Sequence, residues 1–212
     1  MAKIYVASSW KNENQQKLVA VLRKHGHKVY DFTRPHGELK PSAWEVAKIN
    51  PEECSAAEYS EALGDTQTQN RFMEHLSAMS DADTAILLLP CGRSAHAEAG
   101  FMAGMGKRVF VFSYDNVLKP ELMYLLFEGF THIEKTLLEW LDEPIEGVCR
   151  VCGCTEDNPC FNPKYGYCSW VDETKTLCSH CADKKIADDP ETIHCVNDRS
   201  DVFHSLTPAN EG

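Results

Sequence analysis

Two stretches of this sequence carry most of the side chains able to do chemistry. The first, Leu88-Leu89-Pro90-Cys91-Gly92-Arg93-Ser94-Ala95-His96-Ala97-Glu98, is an apolar run ending in a turn of small and polar residues. Ser94 is suited to cap a helix from about Ala95. The free N–H groups and positive dipole end of that helix would attract an anion such as a 5′-phosphate, with Arg93 beside it. The same residues also read as an ordinary cap. Glu98 stands one turn further in, among Ala95, Ala97, Ala99 and Gly100. A carboxylate packed closely there and kept ionised by the helix N-terminus can serve as a nucleophile, and it reads equally well as a surface glutamate complementing the dipole.

The second stretch holds seven of the ten cysteines, at 149, 152, 154, 160, 168, 178 and 181. Cys149-Arg-Val-Cys152 and Cys178-Ser-His-Cys181 are paired C-x2-C knuckles, able to place four thiolates around one structural Zn²⁺. Cys154, Cys160, Cys168 and His180 can complete a second site, or iron and sulfide can take the place of zinc. About 35 residues cannot bury enough apolar surface to fold alone, so metal would supply the module's stability directly. Cys54, Cys91 and Cys195 are isolated and read as inert thiols.

These side chains need a scaffold, and the first two-thirds of the chain predicts one. Apolar, β-branched runs at Lys3–Ala7, His27–Phe32, Thr84–Leu89, Arg108–Phe112 and Gly129–Ile133 alternate with amphipathic stretches. The latter predict helices over Asn12–His25, Pro51–Leu63, Gln67–Met79, Ala95–Gly106, Pro120–Phe127 and Glu134–Leu141. Thr33–Asn50 reads as a lid-like loop with a short helix around Trp44. The expected fold is α/β: a five-stranded parallel, flavodoxin-like or Rossmann-like sheet with flanking helices, followed by a small metal-stabilised module. Its ligand would sit beyond the carboxyl ends of strands 1 and 3, next to Ser8, Ser9 and Gly92. Charge, proline and glycine between residues 142 and 147 mark a boundary. They divide the chain into an α/β domain (1–142), a cysteine module (148–182) and a tail (183–212).

Four blocks in order carry a family pattern: Lys3-Ile4-Tyr5-Val6-Ala7-Ser8-Ser9, Val29-Tyr30-Asp31-Phe32, the Leu88–Gly100 segment, and Pro120-Glu121-Leu122-Met123-Tyr124. Residues 3–141 thus resemble the nucleoside 2-deoxyribosyltransferase-like superfamily. The resemblance implies that Glu98 attacks the anomeric carbon of a nucleoside or nucleotide, and that the glycosyl-enzyme ester then passes to another base or to water. It further implies roles for Tyr5 and, at the sugar, Met123, and a homo-oligomer that completes the pocket. Ser8, Ser9, Gly92, Arg93, Ser94 and His96 would line the substrate and phosphate site. The aspartate that the family places before strand 3 as partner of the leaving base is absent. Met73, Glu74 and His75 stand there, so Glu74 or His75, or Asp65 from the loop, is the candidate replacement. The second family aspartate gives way to Gly92-Arg93-Ser94, which favours a phosphate-binding glycosidase over a free-nucleoside transferase.

Composition sets bounds on all of this. Apolar residues make up 43% and charged residues 25% of the chain, as in a folded globular protein. A net charge of −11 disfavours bulk duplex nucleic acid and anionic membranes as partners, leaving a small nucleoside or nucleotide. Met1–Val6 reads as a strand rather than a leader, so the expected setting is cytoplasmic and reducing, where clustered thiols mean metal more often than disulfides. No organic cofactor is implied. Two other readings use the same features: a nucleotide sensor without turnover, and an adaptor whose cysteine module recruits protein or single-stranded nucleic acid.

Overall fold

The structure is a computed structural model that describes residues 1–35, 38–50, 53–115, 119 and 121–194. The chain divides into two compact units, Ala2–Leu138 and Glu139–Gly212 together with Met1.

The first unit is built on five parallel strands, β1 (Lys3–Ala7), β2 (Lys28–Tyr30), β3 (Thr84–Leu89), β4 (Arg108–Ser113) and β5 (Gly129–Thr131), in the order β2-β1-β3-β4-β5. The expected α/β class and five-stranded parallel sheet are therefore present. All six residues of β3 are buried, as required of a central strand covered on both faces, which is why Thr84–Leu89 is uniformly apolar after its first residue. β1 pairs with β3 from Ile4↔Thr84 to Ala7↔Leu87, so the two strands end side by side. Strand order reverses between them, and the crevice of such sheets opens at that point.

Helices α1 (Gln15–Lys24), α2 (Ala43–Ala47), α3 (Ala56–Gly64), α4 (Thr66–Asp81) and α5 (Arg93–Gly104) follow in chain order, with α6 (Glu134–Asp142) crossing the unit boundary. α2 and α3 open with capping boxes, Ser42 with Glu45 and Ser55 with Glu58, in which each side chain satisfies the other residue's free N–H. The end of α4 is held by Lys107, whose Nζ donates to the carbonyls of Met79 at 2.6 Å and Ser80 at 2.5 Å, and to that of Ala82. A cation at this end also complements the helix dipole. Asp83 accepts the Lys3 N–H at 3.0 Å and Asp81 pairs with Lys3 Nζ at 2.7 Å, so both carboxylates orient the start of the sheet.

Some boundaries move. β2 is three residues long, and α1 starts at Gln15 because Asn12 and Asn14 occupy the preceding turn. The helix expected over Pro120–Phe127 is a 3-10 helix, Leu122–Leu126, and Pro120 itself lies outside the described residues. Leu122, Met123, Leu125 and Leu126 are all exposed, so no buried face stabilises an α-helix there.

The second unit has little regular structure: a two-stranded hairpin of β6 (Phe161–Asn162) and β7 (Gly166–Tyr167), then the short helices α7 (Ser179–Ala182) and α8 (Lys184–Ala187). Its core is a cluster of buried cysteines, Cys149, Cys154, Cys160 and Cys178, with Trp170 and Leu177 packed against them. α8 and a bridge between Ile193 and Phe161 fall in the segment expected as a tail; residues 195–212, with Cys195, lie outside the described residues. No helix among the described residues is long and apolar enough to cross a membrane.

Candidate active site and cysteine centre

At the switch point the loops are tied to the strand ends by side chains. Ser8 Oγ donates to the Leu88 carbonyl at 3.1 Å, and Asn12 Nδ2 donates to those of Leu88 and Pro90 at 3.4 and 3.0 Å. Ser9 Oγ accepts from the Lys11 N–H at 3.1 Å. The peptide between Leu89 and Pro90 is cis.

The expectation that Ser94 caps the next helix is corrected. Gly92 holds the cap position in extended conformation, φ −96° and ψ −172°, and no side chain caps α5. Arg93 and Ser94 are its first two helical residues and both are exposed. The helix begins earlier than its alanine-rich stretch because glycine enters it without needing a side-chain acceptor. Among the described residues no side chain caps this first turn.

Beside this helix start lies an open cleft of about 920 Å³. Ser8, Ser9, Gly92, Ser94 and Ala95 line one wall; Trp10 and Lys11 flank it, and Lys40, Pro41, Trp44 and Lys48 come from the segment expected as a lid. The Glu45 carboxylate lines it too, and the Lys40 ammonium is paired with Glu74, so the tryptophans and the remaining lysines, Lys11 and Lys48, are the residues suited to an aromatic ligand. Spacing does not connect Trp10 to Trp44, so sequence reasoning missed both as wall residues, although the Ser42-x-x-Glu45 capping signal does mark the helix that holds Trp44.

Glu98 sits in the second turn of α5 and meets residues from two other elements. Its Oε1 is 3.4 Å from His75 Nδ1 on α4, and the same nitrogen is 3.3 Å from Tyr5 Oη on β1. The side chains of Glu98 and His75 are each 19% exposed, so the carboxylate is sheltered yet reachable. Tyr5 is fully buried and stacks on Tyr30 with ring centroids 5.5 Å apart. Burial, and then the charge of Glu98, push the Tyr5 pKa far above that of an ordinary phenol, so its hydroxyl keeps its proton. Burial, followed by the same charge, raises the Cys91 thiol to about 12, leaving it protonated and a poor nucleophile. Glu98, His75 and Tyr5 are not among the residues lining the 920 Å³ cleft; the helix carrying Glu98 contributes its first turn instead.

The other sequence candidates separate. Glu74 turns away from Glu98, pairing with Arg71 Nη1 at 2.9 Å and Lys40 Nζ at 3.2 Å, and the Arg71 hydrogen bond lowers its pKa. Asp65 caps α4 by accepting the Thr68 N–H. His96 is held by the Gly92 carbonyl at 2.8 Å and the Tyr124 hydroxyl at 2.9 Å, and its ring stacks on that of Tyr124. Met123 is 56% exposed on the 3-10 helix. Asp31, at the end of β2, is buried and accepts from Gln15, Gln16, Thr33 Oγ1 and the Thr33 N–H. Burial alone would raise its pKa, but these donors outweigh it and hold the carboxyl below 3.8.

By structure the chain is similar to a 2-deoxyribosyltransferase from the psychrotolerant bacterium Bacillus psychrosaccharolyticus, at 21% identity over 65% of this chain and 90% of that one, with a TM-score of 0.41. It is also similar to a CMP N-glycosidase from Clostridium botulinum, at 15% identity over 66% and 99% with a TM-score of 0.37. A third similar structure is a conserved protein from Enterococcus faecalis V583, at 17% identity over 66% and 96% with a TM-score of 0.40. No protein-family model and no curated protein matches the sequence.

In the second unit the cysteines converge. Cys149, Cys152, Cys154 and Cys178 form one quartet whose sulfurs all lie within 4.8 Å of one another, and Cys154, Cys160, Cys168 and Cys178 form another. Cys149 and Cys152 of the first expected knuckle meet Cys178 of the second, and Cys154 stands with them in the first quartet. Gly153, at φ +76°, folds the chain back sharply enough to turn Cys154 inward. Cys181 packs against the cluster but belongs to neither quartet. The Cys178 N–H donates to Cys149 Sγ at 3.4 Å and the Cys160 N–H to Cys168 Sγ at 3.1 Å, bonds that favour thiolate.

Sulfur contacts of 3.8 Å for Cys152–Cys178 and 3.7 Å for Cys154–Cys168 match the edge of about 3.8 Å that a tetrahedron of 2.3 Å Zn–S bonds requires. His180 is 2% exposed and neither ring nitrogen has a hydrogen-bond partner among the described residues; burial, then the nearby His194, lowers its pKa. His194 Nδ1 lies 3.7 Å from Cys160 Sγ, a placement that no motif spacing announced. This donor set can bind a metal ion.

Proposed function

We propose that the Ala2–Leu138 unit binds a nucleoside or nucleoside 5′-monophosphate and breaks its N-glycosidic bond through Glu98. The observation that carries this reading is the carboxylate of Glu98 held beside His75 and Tyr5, on the helix whose first turn lines a cleft that Trp10 and Trp44 also line. Glu98 attacks the anomeric carbon; the C–N bond electrons leave with the base, which takes up a proton, and a glycosyl ester forms on the carboxylate. Water or a second base then displaces Glu98. The oxocarbenium-like transition state is stabilised by the same carboxylate before the bond forms.

In this reading His75 orients Glu98 and, when protonated, is the proton source for the departing base. Tyr5, neutral at every working pH, fixes the imidazole. Glu74 has no part, being held by Arg71 and Lys40. The first turn of α5, with Arg93 and Ser94, receives the phosphate. In the second unit zinc is the structural metal, bound by neutral imidazole or thiolate and needing no organic cofactor beside it.

A panel of ribo- and deoxynucleosides and their monophosphates, incubated with purified protein and assayed for free base, tests the proposal. Base release that disappears in Glu98→Ala supports it. One observation favours the second reading, a binding protein without turnover: the described cleft is lined by the start of α5 and not by Glu98 itself. Tight binding of a monophosphate with no base released over hours would decide for that reading.

A further inference from the structure

The hairpin of the second unit has a third strand-like partner. Phe161 pairs with Tyr167 on one side and with Ile193 on the other, exchanging two backbone hydrogen bonds of 3.1 and 2.8 Å with Ile193. Both pairings are antiparallel, so Cys160 stands between Cys168 and His194, and its carbonyl accepts the Cys168 N–H at 2.9 Å. Cys160 and His194 are thus the non-hydrogen-bonded pair beside a hydrogen-bonded one, the place where cross-strand side chains come closest. His194 Nδ1 lies 3.7 Å from Cys160 Sγ, while Nε2 on the far side of the ring is 3.1 Å from the Ala187 carbonyl. A carbonyl can only accept, so the ring proton is on Nε2 and Nδ1 presents a lone pair, the usual arrangement of a metal-ligating histidine. The buried bond from Asn162 Nδ2 to Thr192 Oγ1, 2.8 Å, fixes the same segment.

We propose that His194 is a zinc ligand through Nδ1 and that Cys152, Cys160 and Cys178 complete its tetrahedral set. The ligand atoms of Cys152, Cys160 and His194 all lie within 4.8 Å of one another. Cys178 is the fourth donor because its sulfur is 3.8 Å from that of Cys152 and it shares a quartet with Cys160; Cys154 leans on Cys168 at 3.7 Å instead. Three Zn–S bonds and one Zn–N bond give edges of about 3.8 Å between sulfurs and about 3.6 Å from sulfur to nitrogen. The contacts of 3.8 Å for Cys152–Cys178 and 3.7 Å for Cys160–His194 match these edges, and Cys152–Cys160, at 3.4 Å, is slightly shorter. The proposal rests on the zinc reading above and extends it past the expected module boundary at residue 182. Binding releases the three thiol protons to solvent and leaves one net negative charge at the site, less than four thiolates would. The ion also fastens the segment after α8 to the hairpin.

Replacing zinc with ¹¹³Cd in the full-length, ¹⁵N-labelled chain and reading the histidine rings by NMR tests this. Nδ1 of His194 should show one-bond coupling to cadmium, with Nε2 protonated, and the same cadmium should correlate with the β protons of Cys152, Cys160 and Cys178. His194→Ala should weaken zinc binding by more than about 100-fold in competition with a chelator, beyond the loss caused by removing a residue that only orients a ligand. His194→Cys, which restores a donor, should recover most of that affinity. Cadmium bound with His194 uncoupled, as when Cys160 merely donates its S–H to Nδ1, would overturn the proposal and leave the zinc reading intact. Coupling at His180 alone, or correlation of the His194-bound cadmium with other cysteines in place of these three, would do the same. A folded chain that binds neither zinc nor cadmium would overturn both readings. The wild-type coupling decides the question even if the variants fail to fold.

Discussion

The two units bury different materials, and each derives its stability accordingly. In the first, Tyr5, Ala7, Leu87, Ala99, Met102 and Val111 form a continuous apolar core around the parallel sheet. Each fully buried large side chain there contributes roughly 1.5–3 kcal/mol relative to exposure. In the second unit the core cluster is made of thiols, two strands are two residues long, and two helices have four residues each. Such elements are too short to be stable by themselves. The first unit is held by area removed from water; in the reading proposed above, the second is held by metal coordination.

Removing metal should separate the two most sharply. A strong chelator with the thiols kept reduced should abolish hydrogen-exchange protection across residues 149–194 and leave β1, β3 and β4 protected, because structural zinc of this kind is worth about 10 kcal/mol or more of folding free energy. Loss of protection in both units would break the distinction. The next largest effect is chemical: Glu98→Gln should lower base release by about 10⁴-fold, on the scale of losing a nucleophile, with metal content unchanged. His75→Asn should cost about 10²–10³-fold, the scale of a missing proton donor.

Smaller effects sharpen the comparison. Leu87→Ala should destabilise the first unit by about 3 kcal/mol in denaturant titration and leave zinc stoichiometry untouched. Asp31→Asn should cost about 2 kcal/mol at neutral pH. Its hydrogen bonds lower its native pKa, so the carboxylate's contribution is present where an ordinary aspartate is ionised and is lost as pH falls through the lowered value. The variant should therefore show less change in stability than the wild type across that acidic window.

What the sequence could show follows from the range of the interactions involved. The strands were legible because burial on both faces demands apolar runs, and β3 is one from Ala85 to Leu89. Strand order was legible only as an expectation of class. The exposed Leu122–Leu126 segment misled, because an apolar pattern announces a helix whether or not a core exists to cover it. The residue types of the site were visible, but His75 and Glu98 are 23 positions apart and meet only because α4 and α5 pack on the same sheet. Glu74 and His75 were equal candidates in sequence; helix rotation alone directs one to Arg71 and the other to Glu98. In the cysteine unit, spacing marked the knuckles, while the turn at Gly153 that brings Cys154 in beside Cys149, Cys152 and Cys178 is carried by backbone conformation rather than spacing.

The claim on which the account turns is a covalent bond between a sugar carbon and the Glu98 carboxylate. Intact-protein and peptide mass spectrometry after rapid acid quench of the wild type with a reactive nucleoside monophosphate reads it directly. A mass gain equal to the glycosyl phosphate, on the peptide containing Glu98 and absent in Glu98→Gln, is the predicted result. Base release at full rate from Glu98→Gln, or a glycosyl adduct on a different residue, would contradict it.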